Sequence, residues 1–412
     1  MTIHALFARR WGAVVMSAAL TATSMSAFVA PDSAWAQSAP TPKPDSQQPS
    51  LNPQNFIPDP PSIAAKAWVL MDAKTGNIIY QHDQDEHLPP ASLTKLMTAY
   101  TTEYELAAGR LHPDDTATVS TNAWHTGGSR MFLKPNTQVP ISELLRGLIV
   151  VSGNDAAVTL AEHIAGSEGA FAQLMNEHAQ MMGLKDTHYM NPTGLPTPDH
   201  YTSAHDLAVL ARHIIFDFPQ YYSTYKEKYF TFNNIKQPNR VLLLWRDPRV
   251  DGLKTGFTDA AGYCMLTSGV QGDTRLIAVV LGTASEAARA QQSETLLNYG
   301  FRYYHTQQLF PANHVVSTPR VWGGADTHVK VGFEKPLLAT LPVAQGNLTQ
   351  QVQLPDSINA PIKKGQQLGT LTVLRNGKEI TSQPIVALSD DPEGGLFRRL
   401  SDSIVRTVSG WL

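Results

Sequence analysis

Apolar and polar positions alternate with a period that changes along the chain, and each change marks an element. Residues 37–62, "QSAPTPKPDSQQPSLNPQNFIPDPPS", have no period and are rich in Pro, Ser, Gln and Asn. Such a stretch cannot bury enough apolar surface to fold and is expected to be a disordered or extended linker. The runs "AWVLMDA" and "NIIYQH" then read as two strands, with "KTGN" as the hairpin turn between them. A helical period starts at Ser92 and runs through "LMTAYTTEYELAAG" to a stop at Gly109. The same period predicts helices over 141–153, 155–166, 169–183 and 203–217. Strand-like runs return at 228–234, 250–256, 263–270 and 274–282, followed by a helix over 285–304. An opening hairpin, a helical insert and returning strands closed by a helix predict an α+β domain over 63–311, its sheet flanked by helices on both sides.

Past Pro311 the runs shorten and alternate with period two, and "RNGKE" carries an Asn-Gly hairpin turn. Residues 312–389 therefore predict a small all-β sandwich without catalytic groups of its own. After the break "DDPEGG", residues 390–412 return to a helical period. Leu396, Phe397, Leu400, Ile404, Val405, Val408, Trp411 and Leu412 share one face, and Arg398, Arg399, Ser401, Asp402, Arg406 and Ser409 the other. The apolar run is far shorter than the ~20 residues that span a bilayer. An interfacial membrane helix is expected, its three arginines adding attraction to an anionic surface; a helix folded back onto the protein is the alternative. At the other end, Arg9 and Arg10 precede an apolar, small-residue run and Ala34-Trp35-Ala36. Residues 1–36 thus read as a secretory signal, with a retained anchor as the rival.

Composition narrows the function classes. The 412 residues are 42% hydrophobic with a formal net charge of -3, enough for more than one core and without the basic excess of a nucleic-acid binder. The single cysteine, Cys264, has no partner for a disulfide or a thiolate metal site and is expected to be a buried small hydrophobe. "HDQDEH", His82 to His87, has metal-binding residue types but no second ligand group, so a solvated acidic loop is expected and no metal or cofactor is assigned.

The chemistry lies in three short words. Ser92 and Lys95, in "ASLTKLMT", are one helical turn apart and can meet on one face. A serine needs an adjacent base to act as nucleophile, and a desolvated lysine near other cations can supply one. "VVSGND" places Ser152, Gly153 and Asn154 in an irregular turn between two helices. "VDGLKTGFTD" places Lys254, Thr255 and Gly256 on a strand, whereas an earlier Lys74-Thr75-Gly76 falls in a hairpin turn and reads as structural.

In this order, S-x-x-K, S-x-N and K-T-G resemble the motifs of the penicillin-recognising serine enzymes. With "MFLKP", "LLRGLIVVSGNDAA", "DGLKTGFTDAAGYC" and the sandwich-plus-tail layout, residues 60–412 are similar to the low-molecular-mass D-alanyl-D-alanine carboxypeptidases. The resemblance implies a β-lactamase/DD-peptidase-like fold and removal of the terminal D-alanine from peptidoglycan stem peptides. It also implies acylation by β-lactam antibiotics. Ser92 would be the acylated serine, Lys95 its base and Ser152 the proton carrier to the leaving group. Asn154 would hold the substrate amide, and Lys254, Thr255 and Gly256 the end of the peptide, with Arg289 on its carboxylate. The backbone N–H groups of Ser92 and Phe257 would form the oxyanion hole; the family often has His where Phe257 stands, a change that leaves the backbone donor intact. The chain is then expected at the periplasmic face of the inner membrane, held by its terminal helix. A β-lactamase of the same fold and a non-catalytic peptidoglycan-binding scaffold are the competing readings.

Overall fold

Alternation within single strands sets the layering. In the computed structural model, which describes residues 57–409 apart from Gln345, the strand Ala67–Asp72 sends Val69 and Met71 into one core and Trp68 and Leu70 into another. Its neighbour Thr274–Thr283 does the same with Ile277 and Val279 against Leu276 and Val280. A sheet buried on both faces needs apolar residues at every position, which is why these strands read as continuous runs. The sheet is antiparallel and five-stranded, in the order Ile78–His82, Ala67–Asp72, Thr274–Thr283, Gly262–Gln271, Val250–Thr258. One face packs on the helices Lys95–Ala107, Ile141–Val150, Asn154–Ala165, Glu168–Met182 and Ala204–Phe216. The other is covered by the helix Glu286–Tyr303 through Ala290, Leu296, Leu297 and Phe301.

Three local readings are corrected. Ser92 lies not in the α-helix but in a 3-10 turn, Ala91–Thr94, and the α-helix begins at Lys95. The helix expected over 141–153 stops at Val150, because Ser152 takes a left-handed φ of 62°. The strand expected at 228–234 is half of a hairpin, Tyr229–Phe232 with Ile235–Pro238, turning at Asn233 and Asn234, both with positive φ. Residues 1–36 lie outside the described residues, as does the 37–62 stretch up to residue 56. The described remainder lies along the closing helix: the Tyr299 hydroxyl donates to the Pro58 carbonyl and Ile57 packs beside it.

The C-terminal β domain folds around Val321, Val331, Phe333, Leu371, Val373 and Ile385. Its main sheet orders His314–Ser317, Val331–Phe333, Lys378–Ala387, Gln367–Arg375 and Leu348–Gln353, and Asn376-Gly377 makes the expected tight turn. Asp72 binds this domain to the catalytic sheet. Its Oδ2 accepts from Thr306 Oγ1 (2.7 Å) and Thr340 Oγ1 (2.8 Å), and Thr75 Oγ1 lies 2.6 Å from Thr340 Oγ1. The early Lys74-Thr75-Gly76 is therefore part of the domain junction.

Glu103, on the helix that carries Lys95, is fully buried, and burial raises its carboxyl from 4.5 to about 8. Its partner is the Tyr225 hydroxyl, 3.3 Å away. Between pH 4.5 and about 8 the unfolded chain has released this proton while the folded chain keeps it, so stability falls as pH rises through that window. At about 1.4 kcal/mol per pKa unit the effect is large. Glu103→Gln should therefore melt above wild type at pH 8, and the two melting curves should converge toward pH 4. An equal gap at both pH values would contradict the assignment.

Candidate active site

The turn that carries Ser92 is held under strain. Two prolines precede Ala91, which is buried with φ 48°, a left-handed value that costs a non-glycine residue about a kcal/mol or more. The turn that follows aims Ser92 back along the first helical turn. Lys95 Nζ donates to Ser92 Oγ at 3.0 Å and to the Thr193 carbonyl at 2.6 Å. Burial and, behind it, the charge of Arg240 lower this amine from 10.5 to about 7, with Asp155 opposing. Near neutral pH the amine thus exists in both protonation states, as an acceptor for a serine proton requires.

The segment 191–200 shapes this pair from the far side. Asn191 Oδ1 accepts from the backbone N–H groups of Thr193 and Gly194 at 3.0 and 2.8 Å, fixing the turn that presents the Thr193 carbonyl. His200 Nδ1 accepts from Met190 N, so its proton is on Nε2 and is donated to Thr94 Oγ1 at 2.8 Å. Burial lowers His200 to about 4, which keeps it neutral and in that tautomer. Gly194 has φ 81°, and a Cβ there would collide with the Ala91 carbonyl.

The second word sits where two helices meet. Ser152 is buried at the turn, and its Oγ has no hydrogen-bond partner among the described residues. Asn154 starts the next helix and donates from Nδ2 to the Gly127 carbonyl at 2.6 Å. Its neighbour Asp155 accepts from Met131 N (2.9 Å) and Leu133 N (3.0 Å), fastening the 127–133 loop over the site. The hairpin at 229–238 supports the same loop from outside, Gln237 donating to the Arg130 carbonyl and Asn233 to the Phe132 carbonyl.

The third word lies on Val250–Thr258, the last strand of the sheet, whose outer edge pairs with no other strand of it. A Cβ on Gly256 would stand 3.1 Å from the Pro90 carbonyl oxygen and 3.3 Å from Ser92 N, so a side chain there would push the strand and the Ser92 turn apart by a few tenths of an ångström. Lys254 is buried, and desolvation, Lys95, Arg240 and Arg289 together hold its amine well below the usual lysine range. Arg289 is placed by the first turn of the helix that Ser285 caps. It donates to the Gly256 carbonyl (3.1 Å) and to Glu286 (3.2 Å) and lies 5.6 Å over the Tyr263 ring. Phe257 is half exposed and packs on the same ring at 4.3 Å.

The fold gathers these groups around one cleft of about 490 Å³, lined by Ser92, Ser152, Thr255, Gly256, Phe257 and Arg289 together with Gly128, Ser129, Arg240, Tyr263 and Glu286. Lys95, Asn154 and Lys254 are buried residues of the same three motifs. Two lysines and two arginines against one exposed glutamate make a site for an anion. Arg240, which donates to Ser129 Oγ at 2.6 Å, and the Thr193 carbonyl were not anticipated; neither belongs to a short motif, and only the loop path brings them here. His82 and His87 do not converge: His82 stacks on Trp68 and His87 on Tyr201. Cys264 is buried in the sheet opposite Gly256.

Comparison with known proteins gives the family. Residues 54–285 match the family model described as D-alanyl-D-alanine carboxypeptidase. The chain belongs to the D-alanyl-D-alanine carboxypeptidase family. Residues 304–393 match the penicillin-binding protein 5 C-terminal domain. The D-alanyl-D-alanine carboxypeptidase DacC of Escherichia coli (strain K12) is 41% identical over 360 residues, 85% of this chain and 90% of the relative. Penicillin-binding protein 5 from Haemophilus influenzae superposes with a TM-score of 0.79 at 41% identity, covering 81% of this chain and 99% of that one. Penicillin-binding protein D2 from Listeria monocytogenes, solved in its ampicillin-bound form, covers 59% of this chain and all (100%) of that one, at 26% identity and a TM-score of 0.55. The family fold, a mixed helix-and-sheet catalytic domain followed by a β-rich domain, is the one seen here, and the chain is a serine peptidase of that family.

Gly194→Ala should displace the Ala91–Thr94 turn, since both the left-handed φ and the Ala91 carbonyl oppose a side chain. Covalent uptake of penicillin should slow by more than about tenfold, the equivalent of ~1.4 kcal/mol of misplacement. Uptake at the wild-type rate, followed by mass spectrometry, would show that the 191–200 segment does not position the Ser92 turn.

Proposed function

We propose that this chain removes the terminal D-alanine from peptidoglycan stem peptides through an acyl-enzyme on Ser92. The observation that carries the reading is the buried amine of Lys95, brought to about 7 and hydrogen-bonded to Ser92 Oγ. In the neutral form Lys95 takes the serine proton as Oγ attacks the carbonyl of the penultimate residue. The resulting oxyanion is held by the backbone N–H groups of Ser92 and Phe257. Ser152, whose buried hydroxyl has no other partner among the described residues, relays a proton to the departing D-alanine nitrogen: it gives up its own and takes in return the one that Lys95 removed from Ser92, so that both side chains end as they began. Water then cleaves the ester, returning Ser92 and releasing the shortened peptide. Asn154 holds the substrate amide, and the free edge of Val250–Thr258 pairs with the peptide backbone. Lys254, Thr255 and Arg289 receive the terminal carboxylate, and Gly256 keeps the strand close enough to do so. The arrival of that anion relieves the repulsion among the cations.

A β-lactam presents a carboxylate and a strained amide to the same groups and leaves its acyl chain on Ser92. The ampicillin-bound relative supports this. The appended β domain favours a carboxypeptidase over a β-lactamase, and the Ser92–Lys95 geometry favours an enzyme over a scaffold. The terminal helix supports a place at the outer face of the cytoplasmic membrane: Leu396, Phe397, Leu400, Ile404 and Val405 are all exposed on it. Among the described residues no helix is long and apolar enough to cross a membrane.

Ser92→Ala should neither bind penicillin covalently nor shorten a pentapeptide, as read by mass spectrometry. For the wild type, the acylation rate should rise about tenfold per pH unit below 7 and level off above it, because only deprotonated Lys95 acts as base. A flat profile from pH 5 to 9 would remove Lys95 from that role. Arg289→Ala should weaken turnover of substrates ending in a free carboxylate by about ten- to a hundredfold, the worth of a charge-assisted pair. Substrates with an amidated end should be nearly unaffected; equal losses would make Arg289 purely structural.

A further inference from the structure

The terminal helix, Leu396–Ser409, is gripped by its polar face. Asp402 is buried: its Oδ1 accepts from Arg320 Nη2 and its Oδ2 from Gly323 N, both at 2.9 Å. Arg398 stands 3.7 Å from the same carboxylate. Gly394 N donates to the Gly323 carbonyl, Arg399 pairs with Glu393, and Arg406 donates to Asn359 and lies over the Trp322 ring alongside Arg320. The apolar face points the other way, with Phe397 91% and Leu396 77% exposed. Of the three arginines on the polar face, Arg406 is thus engaged with the β domain, while Arg398 and Arg399 stand beside carboxylates of the terminal segment itself.

We propose that Asp402 is an orientation residue: it clasps the polar face of the helix to the β domain, so that the apolar face becomes a rigid foot on a lipid bilayer and the enzyme meets the membrane in one pose. The inference rests on the membrane reading above and adds to it what fixes the pose. A bilayer suits the face because the face runs along the helix side, while 14 residues reach only ~21 Å, short of a hydrocarbon core. Arg320, Arg398 and Arg399, on the helix's polar side, are partly exposed and of the sign that phosphate headgroups attract. Their pairing with Asp402 and Glu393 leaves the apolar contact as the main attraction. Neutral and anionic bilayers should then bind with similar strength. A helix swinging free on the 390–395 segment would instead tether the enzyme without orienting it, and the clasp removes that freedom.

The test uses the full chain carrying a donor dye at Lys185→Cys, an exposed position, Cys264 being buried. Acceptor lipid is placed in vesicles of phosphatidylcholine, with or without phosphatidylglycerol. Wild type should bind both kinds and give a narrow distribution of donor-to-bilayer transfer. Asp402→Ala and Arg320→Ala should keep full activity on a soluble peptide. Because partition follows apolar area, they should bind within about threefold of wild type, but with a broad transfer distribution. Distributions unchanged in both variants would overturn the clasp while sparing the membrane reading. Loss of vesicle binding by a variant that is still active would also overturn it, since Asp402 would then be needed for attachment itself. If wild type binds neither kind of vesicle, the membrane reading fails and the clasp with it, and a protein partner for the face takes their place.

Discussion

Taking a lysine amine out of water costs several kcal/mol unless it sheds its proton or finds acceptors, and here the fold makes Lys95 do both. The Thr193 carbonyl and Ser92 Oγ accept from it, while burial and Arg240 bring it to about 7. Each neighbouring feature serves that placement. Asn191 sets the turn that offers the carbonyl, and neutral His200 ties Thr94 to Met190. Gly194 lets that segment approach the strained Ala91. Were the amine to swing into solvent, it would return to its ordinary charged state.

The same economy of charge explains the cleft. Four basic groups crowd a small volume in the free protein, and desolvation together with its cationic neighbours lowers the amine of Lys254. That cost is tolerable because the two arginines spread their charge onto carbonyl, hydroxyl, carboxylate and aromatic partners. An anionic ligand then gains from repulsion already present, so the site is organised before it is filled. Among the described residues the β domain contributes no group to the lining of this cleft; it is joined to the catalytic sheet through the Asp72 node and holds the terminal helix through Asp402.

Much of this was legible because it is local. Ser92 and Lys95 stand one turn apart whatever surrounds them, and Lys254, Thr255 and Gly256 are consecutive on a strand. The Asn376-Gly377 turn follows from two residues that accept positive φ. Other features were hidden because their partners are distant in sequence. Nothing near Arg240 announces its bond to Ser129, more than a hundred residues earlier. The second strand of the 229–238 hairpin, "IKQP", lacks an apolar face, since it is held by its partner strand and by the loop it braces.

The terminal helix divides the two kinds of information most sharply. Periodicity alone separates its apolar and polar faces, because 3.6 residues per turn is a property of the backbone. It could not say which face the protein would hold, since that depends on Arg320 and the Gly323 N–H being presented to Asp402 by a domain folded from other segments. At the active site, likewise, the motifs supplied the chemical groups and their order. Only the tertiary structure decided that the Lys95 amine would be dry, near Arg240 and against a carbonyl, because desolvation is set by everything packed around a group rather than by its neighbours in the chain.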